Sequence, residues 1–104
     1  MSTYLIVEFT VKDPDLYKEH YSVHAGMTAK KYGAEPVANS EWETLYGDKK
    51  FTSGAIMRFP DHESAVNWYN SPEYQELIDT RSASMDARFS LLDGIPMPPE
   101  NESK

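Results

Sequence analysis

The chain has 104 residues, with 10 Lys+Arg against 17 Asp+Glu and a formal net charge of −7. That length supports one hydrophobic core, and 39% hydrophobic with 12% aromatic residues argues against general disorder. The absence of cysteine excludes disulfides, thiolate metal sites and thiol nucleophiles together. An acidic chain without a basic patch is not expected to bind nucleic acid. No apolar run approaches the ~20 residues of a membrane span. Met1-Ser2-Thr3-Tyr4 lacks the basic and apolar regions of a secretory signal, so a cytoplasmic location is expected.

Tyr4 to Val11 reads as a strand, with Leu5, Val7, Phe9 and Val11 on one face and Tyr4, Ile6, Glu8 and Thr10 on the other. The first face is purely apolar and suits packing on helices; the second is mixed and suits a lined space. Asp13-Pro14-Asp15 then starts a helix, Asp13 as cap and Pro14 at the first helical position. Leu16, His20, Val23 and Met27 recur at helical spacing, and Gly33 is a fitting stop. Glu35 to Tyr46 is expected to be a strand kinked near Asn39-Ser40, joined through Gly47-Asp48-Lys49-Lys50 to an antiparallel strand from Phe51 to Phe59. Asp61 caps a further helix, and Ser71-Pro72 starts another that runs to about Ser82. Met85 to Leu92 is the last strand. Residues 1–94 are expected to form the domain, and 95–104, rich in proline and acids, a disordered tail.

The order βαββααβ fits an α+β, ferredoxin-like protomer with an antiparallel four-stranded sheet in the order 4-1-3-2. Helices would cover one face. Tyr4, Ile6 and Ile56 leave the other too apolar to stay wet, and a second copy pairing sheet to sheet is the simplest cover.

Ala65-Val66-Asn67-Trp68-Tyr69-Asn70-Ser71-Pro72-Glu73-Tyr74-Gln75 carries a WY-x-SP-x-YQ block after a strand that ends in Phe59-Pro60. With Asp13-Pro14, Tyr17, Tyr32-Gly33, Glu43-x-Leu45-x-Gly47 and Arg81, it resembles the domain-of-unknown-function family 1330 of the dimeric α/β-barrel superfamily, over about positions 4 to 93. The resemblance implies a ferredoxin-like protomer that forms a homodimer through its sheet face, and it implies no agreed reaction. Superfamily relatives include cofactor-free oxygenases and polyketide cyclases. This chain departs from the family pattern at Ala38-Asn39-Ser40, where many members carry a basic residue followed by glycines, and at Arg58, where many carry an acid.

Several groups could carry chemistry. Glu8 and Arg58 fall on the same face of strands expected to be neighbours, either as a cross-strand ion pair or as an anion-binding arginine oriented by a carboxylate. His20 and His24 lie one helical turn apart, a metal-compatible spacing, but without a clear third ligand beyond Glu19 or His62 no metal site and no cofactor is expected. A general-base role suits either histidine better. Tyr17, Trp68, Tyr69 and Tyr74 either fill the core or place a hydroxyl at a pocket mouth. Arg81 is placed to reach Glu73, Glu76 or the chain's own carbonyls, with a helix-end salt bridge as its plain role, and is kept as a candidate for its place in the family pattern. The expected site has His24 and Tyr17 as catalytic residues, with Glu8, Asn39, Arg58, Tyr69 and Arg81 binding substrate. Its ligand would be an aromatic or keto-acid-like small molecule handled without a cofactor. The alternative is a non-catalytic homodimeric module.

Overall fold

The computed structural model describes residues 1–95. The expected tail therefore lies, from residue 96 onward, outside the described residues. The chain runs β1 (Thr3–Val11), α1 (Pro14–Leu16), a π-helical turn (Tyr17–Ser22), α2 (Val23–Lys30), β2 (Glu35–Glu41), β3 (Ser53–Phe59), α3 (His62–Tyr69), α4 (Pro72–Gln75), α5 (Ile78–Ser84) and β4 (Met85–Asp93). The strands form one antiparallel sheet in the order β2-β3-β1-β4, the expected order read from its other edge. This is the ferredoxin-like α+β architecture.

The alternation of β1 sets the layers. Leu5, Val7 and Phe9 are buried under the helices, whereas Tyr4, Ile6 and Glu8 are half-buried on the opposite, outer face. Phe59 and Met85 join the buried face from β3 and β4, and Trp68, Tyr74, Tyr21, Ala25, Ala29 and Ala65 descend onto it from the helices. Trp68 is the centre of this core. Only 1% exposed, it lies 4.4 Å from the Tyr74 ring and 5.6 Å from the Phe59 ring, and its indole N–H donates to Thr28 Oγ1 at 3.0 Å.

The caps follow local chemistry. Asp13 accepts from the Leu16 N–H, Asp61 from that of Ser64, and Ser71 from that of Tyr74. The N-terminal helix differs from expectation in the face it buries. Val23 and Met27 are each 61% exposed and His20 is exposed, while Tyr21, Ala25 and Ala29 face the sheet. The π-turn interrupts the i→i+4 ladder ahead of α2, and the two alanines join the buried core cluster while Thr28 beside them accepts from Trp68. The helix after Ser71 is also broken. Leu77 N–H closes on Tyr74 O, so α4 ends and α5 begins afresh at Ile78. Strand β2 stops at Glu41, its register shift falls between Pro36 and Ala38 instead of at Asn39-Ser40, and β3 begins at Ser53. Beyond Glu41 the Trp42 indole folds over Gly54, where any Cβ would overlap it, and the loop swings across the outer face instead of continuing the ladder.

Glycines give a paired test. Gly33 sits at φ +88°, and a Cβ there would meet Pro60 Cγ at 2.7 Å, whereas one at Gly26 in α2 would meet nothing within 4 Å. Chemical denaturation of Gly33→Ala is expected to show a loss of about 1–3 kcal/mol, and that of Gly26→Ala a gain of about 0.5–1 kcal/mol.

Candidate functional site

The expected site residues separate onto three surfaces. Glu8 and Arg58 are on the outer sheet face but not together, because the register sets Glu8 opposite Gly54 and Arg58 opposite Tyr4. Four residues of strand separate them, about 13 Å. Arg58 instead meets Glu35 at 2.9 Å across β2/β3, and Glu8 Oε1 accepts from Arg88 Nε at 2.8 Å across β1/β4. The Glu35 carboxylate holds the Arg58 guanidinium pKa above its ordinary value. Both pairs are solvent-exposed devices of modest energetic weight.

His24 lies on the far side of the helical layer, in a groove of about 250 Å³ with Lys31, Glu73 and Glu76. His20 faces only Glu19, at 4.0 Å. Among the described residues no three His, Cys, Asp or Glu side chains gather as a metal would require.

Tyr17, Asn39, Tyr69 and Arg81 belong to the third surface, between helices and sheet. Two adjoining cavities occupy it and share Trp68 and Phe89 as a common wall. The first, about 180 Å³, lies beneath the π-turn and is bounded by Phe9, Tyr17, Tyr21, Asn39 and Met57. The second, about 340 Å³, lies between α3 and β4 and is bounded by Leu5, Val66, Tyr69 and Leu91. Asn39 reaches this side because β2 pairs Asn39 with Ala55, whose Cβ points to the helices. Tyr17 stacks on Phe9 with ring centroids 5.9 Å apart. The π-turn sends Tyr17 and Tyr21 to the cavity side together.

Behind these walls stands Arg81. Among the described residues it makes no salt bridge; one guanidinium nitrogen donates to Tyr69 Oη at 3.0 Å and to Tyr74 Oη at 3.1 Å. The guanidinium also rests 4.9 Å from the Phe89 ring centroid, a cation–π distance. Tyr74 Oη in turn bonds Tyr21 Oη at 2.8 Å. One cation thus supports hydroxyls that border both cavities. Burial opposes its charge, but the two hydroxyl acceptors outweigh burial and raise its pKa. Burial, then repulsion from Tyr74, pushes the Tyr21 phenol pKa up; burial also raises that of Tyr74, against the pull of Tyr21 and Arg81. Tyr21 lies off the stripe of Leu16, His20, Val23 and Met27, and its i, i+4, i+8 spacing with Ala25 and Ala29 is the signal the sequence carries for it.

Two consequences are measurable. A raised phenol pKa means the folded state holds its proton more tightly than the unfolded chain does. The linked stability is complete below the ordinary value of 10.0 and is lost as pH rises toward the folded values. In an alkaline titration followed by phenolate absorbance and far-UV circular dichroism, Tyr21 and Tyr74 are expected to ionise only as the fold is lost. Ionisation of all seven tyrosines before any loss of ellipticity would contradict the buried chain. Separately, Ser71→Ala removes the cap that seats Tyr74 and the 2.7 Å bond to Trp68 O, and is expected to cost about 1 kcal/mol in denaturant unfolding.

Solved structures share this architecture. A protein of unknown function from Rhodopseudomonas palustris, RPA0582, superposes with a TM-score of 0.75 at 20% identity, over 94% of this chain and 84% of its own. SnoaB from Streptomyces nogalater, described as a cofactor-independent oxygenase, matches with a TM-score of 0.67 at 15% identity, over 95% of this chain and 98% of its own. A dimeric ferredoxin-like protein of unknown function from Jannaschia sp. CCS1 matches at 0.63 and 13% identity, over 90% and 100%. Identities this low establish the fold alone. No curated protein sequence matches the chain. A family model matches residues 2–95, nearly the whole described chain: the protein belongs to the DUF1330 family, a domain of unknown function.

Proposed function

We propose that each protomer binds a small, mainly apolar molecule between its helices and its sheet, as a binding protein or cofactor-free enzyme for an aromatic or keto-acid-like compound. The observation that carries this reading is the first cavity, whose walls are Phe9, Met57, Trp68 and Phe89 and whose polar side chains include Tyr17, Asn39 and Tyr21. Ligand sites combine apolar walls with a few convergent polar groups in this way. Among the described residues neither the Tyr17 hydroxyl nor the Asn39 amide has a side-chain hydrogen-bond partner, which leaves both free to hold a ligand oxygen. Tyr69, which borders the second cavity, and Arg81, which donates to the Tyr69 hydroxyl from behind it, complete the polar support. Donors of this kind stabilise an enolate or phenolate without a cofactor, and the likeness to a cofactor-independent oxygenase favours the same direction. His24, Glu8 and Arg58 stand outside this site.

The outer sheet face supports a second, compatible element: a homodimer formed sheet to sheet. Ile6 and Ile56 face each other at its centre, with Tyr4 beside them and Leu92, 65% exposed, on the neighbouring strand. The Glu8–Arg88 and Glu35–Arg58 pairs flank this apolar strip with neutralised charge. The Jannaschia relative is described as dimeric.

Two measurements test the proposal. Benzoate or phenylpyruvate is expected to bind saturably in calorimetry and, at 100 times its Kd, to raise the thermal midpoint by about 10 °C or more. Ala55→Leu, which grows into the first cavity, is expected to abolish that shift while leaving the circular dichroism spectrum intact. No binding by either class would count against the site. For the dimer, sedimentation of wild type should give twice the protomer mass, and Ile56→Glu should give the protomer mass.

A further inference from the structure

The hydroxyl chain behind the first cavity has a proton count that points beyond the binding reading. Tyr21 and Tyr74 share one hydrogen bond, 2.8 Å long, and bring two hydroxyl protons to it. Arg81 has only protons to give, and it gives one to Tyr74 Oη. One phenol proton fills the Tyr–Tyr bond, and the other has no acceptor among the described residues.

The two ways of placing that second proton are unequal. If Tyr21 donated to Tyr74, the surplus proton would sit on Tyr74, which is fully buried and borders neither of the two cavities. A buried donor with no acceptor is costly. If Tyr74 donates to Tyr21, the surplus proton sits on Tyr21, which is 5% exposed and lines the first cavity. Arg81 reinforces this second arrangement by filling one of the two acceptor positions of Tyr74 Oη, and the direction Arg81 to Tyr74 to Tyr21 polarises each successive O–H.

Resting on the ligand-binding reading, we infer that Tyr21 donates its hydroxyl proton into the cavity, so that the ligand carries a carbonyl or oxyanion oxygen against Tyr21, with Tyr74 and Arg81 as positioning residues. The ligand class narrows accordingly: an aromatic or similarly apolar body bearing a hydrogen-bond acceptor. A purely apolar molecule of the same shape leaves the Tyr21 proton unpaired and binds more weakly. So does one whose only polar group is a donor.

Two probes of nearly equal shape separate this inference from the reading beneath it. Benzaldehyde carries the acceptor and toluene does not, and a cavity of about 150 Å³ is enough to admit a benzene ring. Both are titrated into wild-type protein and into Tyr21→Phe. The carbonyl stretch of bound benzaldehyde is recorded by infrared difference spectroscopy. Tyr21→Phe is expected to weaken benzaldehyde about tenfold, which corresponds to about 1.4 kcal/mol, and to change toluene less than twofold. The stretch should lie lower in wild type than in the variant and lower than in an apolar solvent. Tyr74→Phe, which keeps the Tyr21 proton but removes its polarising neighbour, should retain part of the benzaldehyde preference.

If both probes bind and Tyr21→Phe changes them equally, or if the wild-type stretch equals that in apolar solvent, the donor assignment is wrong while the cavity stands. If neither probe binds wild-type protein, the ligand reading and this inference fall together. Should Tyr21→Phe fail to fold, the wild-type stretch alone decides.

Discussion

The arrangement of the helical layer depends on one half-buried cation that has no carboxylate partner among the described residues. Arg81 is held by two phenol oxygens and the face of Phe89, so its charge is stabilised by dipoles and quadrupoles and not by a counter-ion. That choice has structural consequences. A carboxylate partner would satisfy the guanidinium locally, whereas its two hydroxyl partners, and the Tyr21 hydroxyl bonded to one of them, must themselves be placed by three separate elements. Tyr69 comes from the end of α3, Tyr74 from the short α4 seated by Ser71, and Tyr21 from the π-turn. The cation therefore fixes those elements relative to β4, from which Phe89 projects.

The same network explains why cavities survive in so small a domain. Trp68 and Tyr74 fill the centre, but Ala25, Ala29 and Ala65 supply little volume around them. α2 meets Trp68 at Thr28, and both cavities border the indole. The π-turn then puts two aromatic hydroxyl side chains over that space in succession. π-Helical turns recur at functional sites because the extra residue per turn re-aims side chains at some cost in backbone hydrogen bonding.

Much of the fold was legible from short-range chemistry. The strict alternation of Tyr4 to Val11 needs no tertiary knowledge, and the caps at Asp13, Asp61 and Ser71 each involve a donor three residues away. The WY-x-SP-x-YQ block located α3 and α4 and the family together. The sheet order followed from the alternation of elements. What escaped was set at long range. Glu8 had two arginines available on neighbouring strands, and only the β1/β4 register, which pairs residues 80 apart in sequence, selects Arg88 over Arg58. The π-turn has no residue signature, so the helical spacing of Leu16, His20, Val23 and Met27 points to a face that is exposed from His20 onward, and the buried one carries Tyr21 with two alanines too small to stand out. For the site, Tyr17, Asn39, Tyr69 and Arg81 do share one region, whereas His24, Glu8 and Arg58 lie beyond the layers that separate them from it.

The central claim is that an apolar space accessible to small molecules lies beneath the π-turn. Crystals pressurised with xenon test it most directly, since a largely apolar, aromatic-walled cavity of about 180 Å³ can take up the gas without any assumption about the natural ligand. The account expects a xenon site between Phe9, Trp68 and Phe89, within reach of the Tyr17 and Tyr21 rings. Side chains of Tyr17 and Met57 closed over that volume, with no xenon density inside it, would contradict the account.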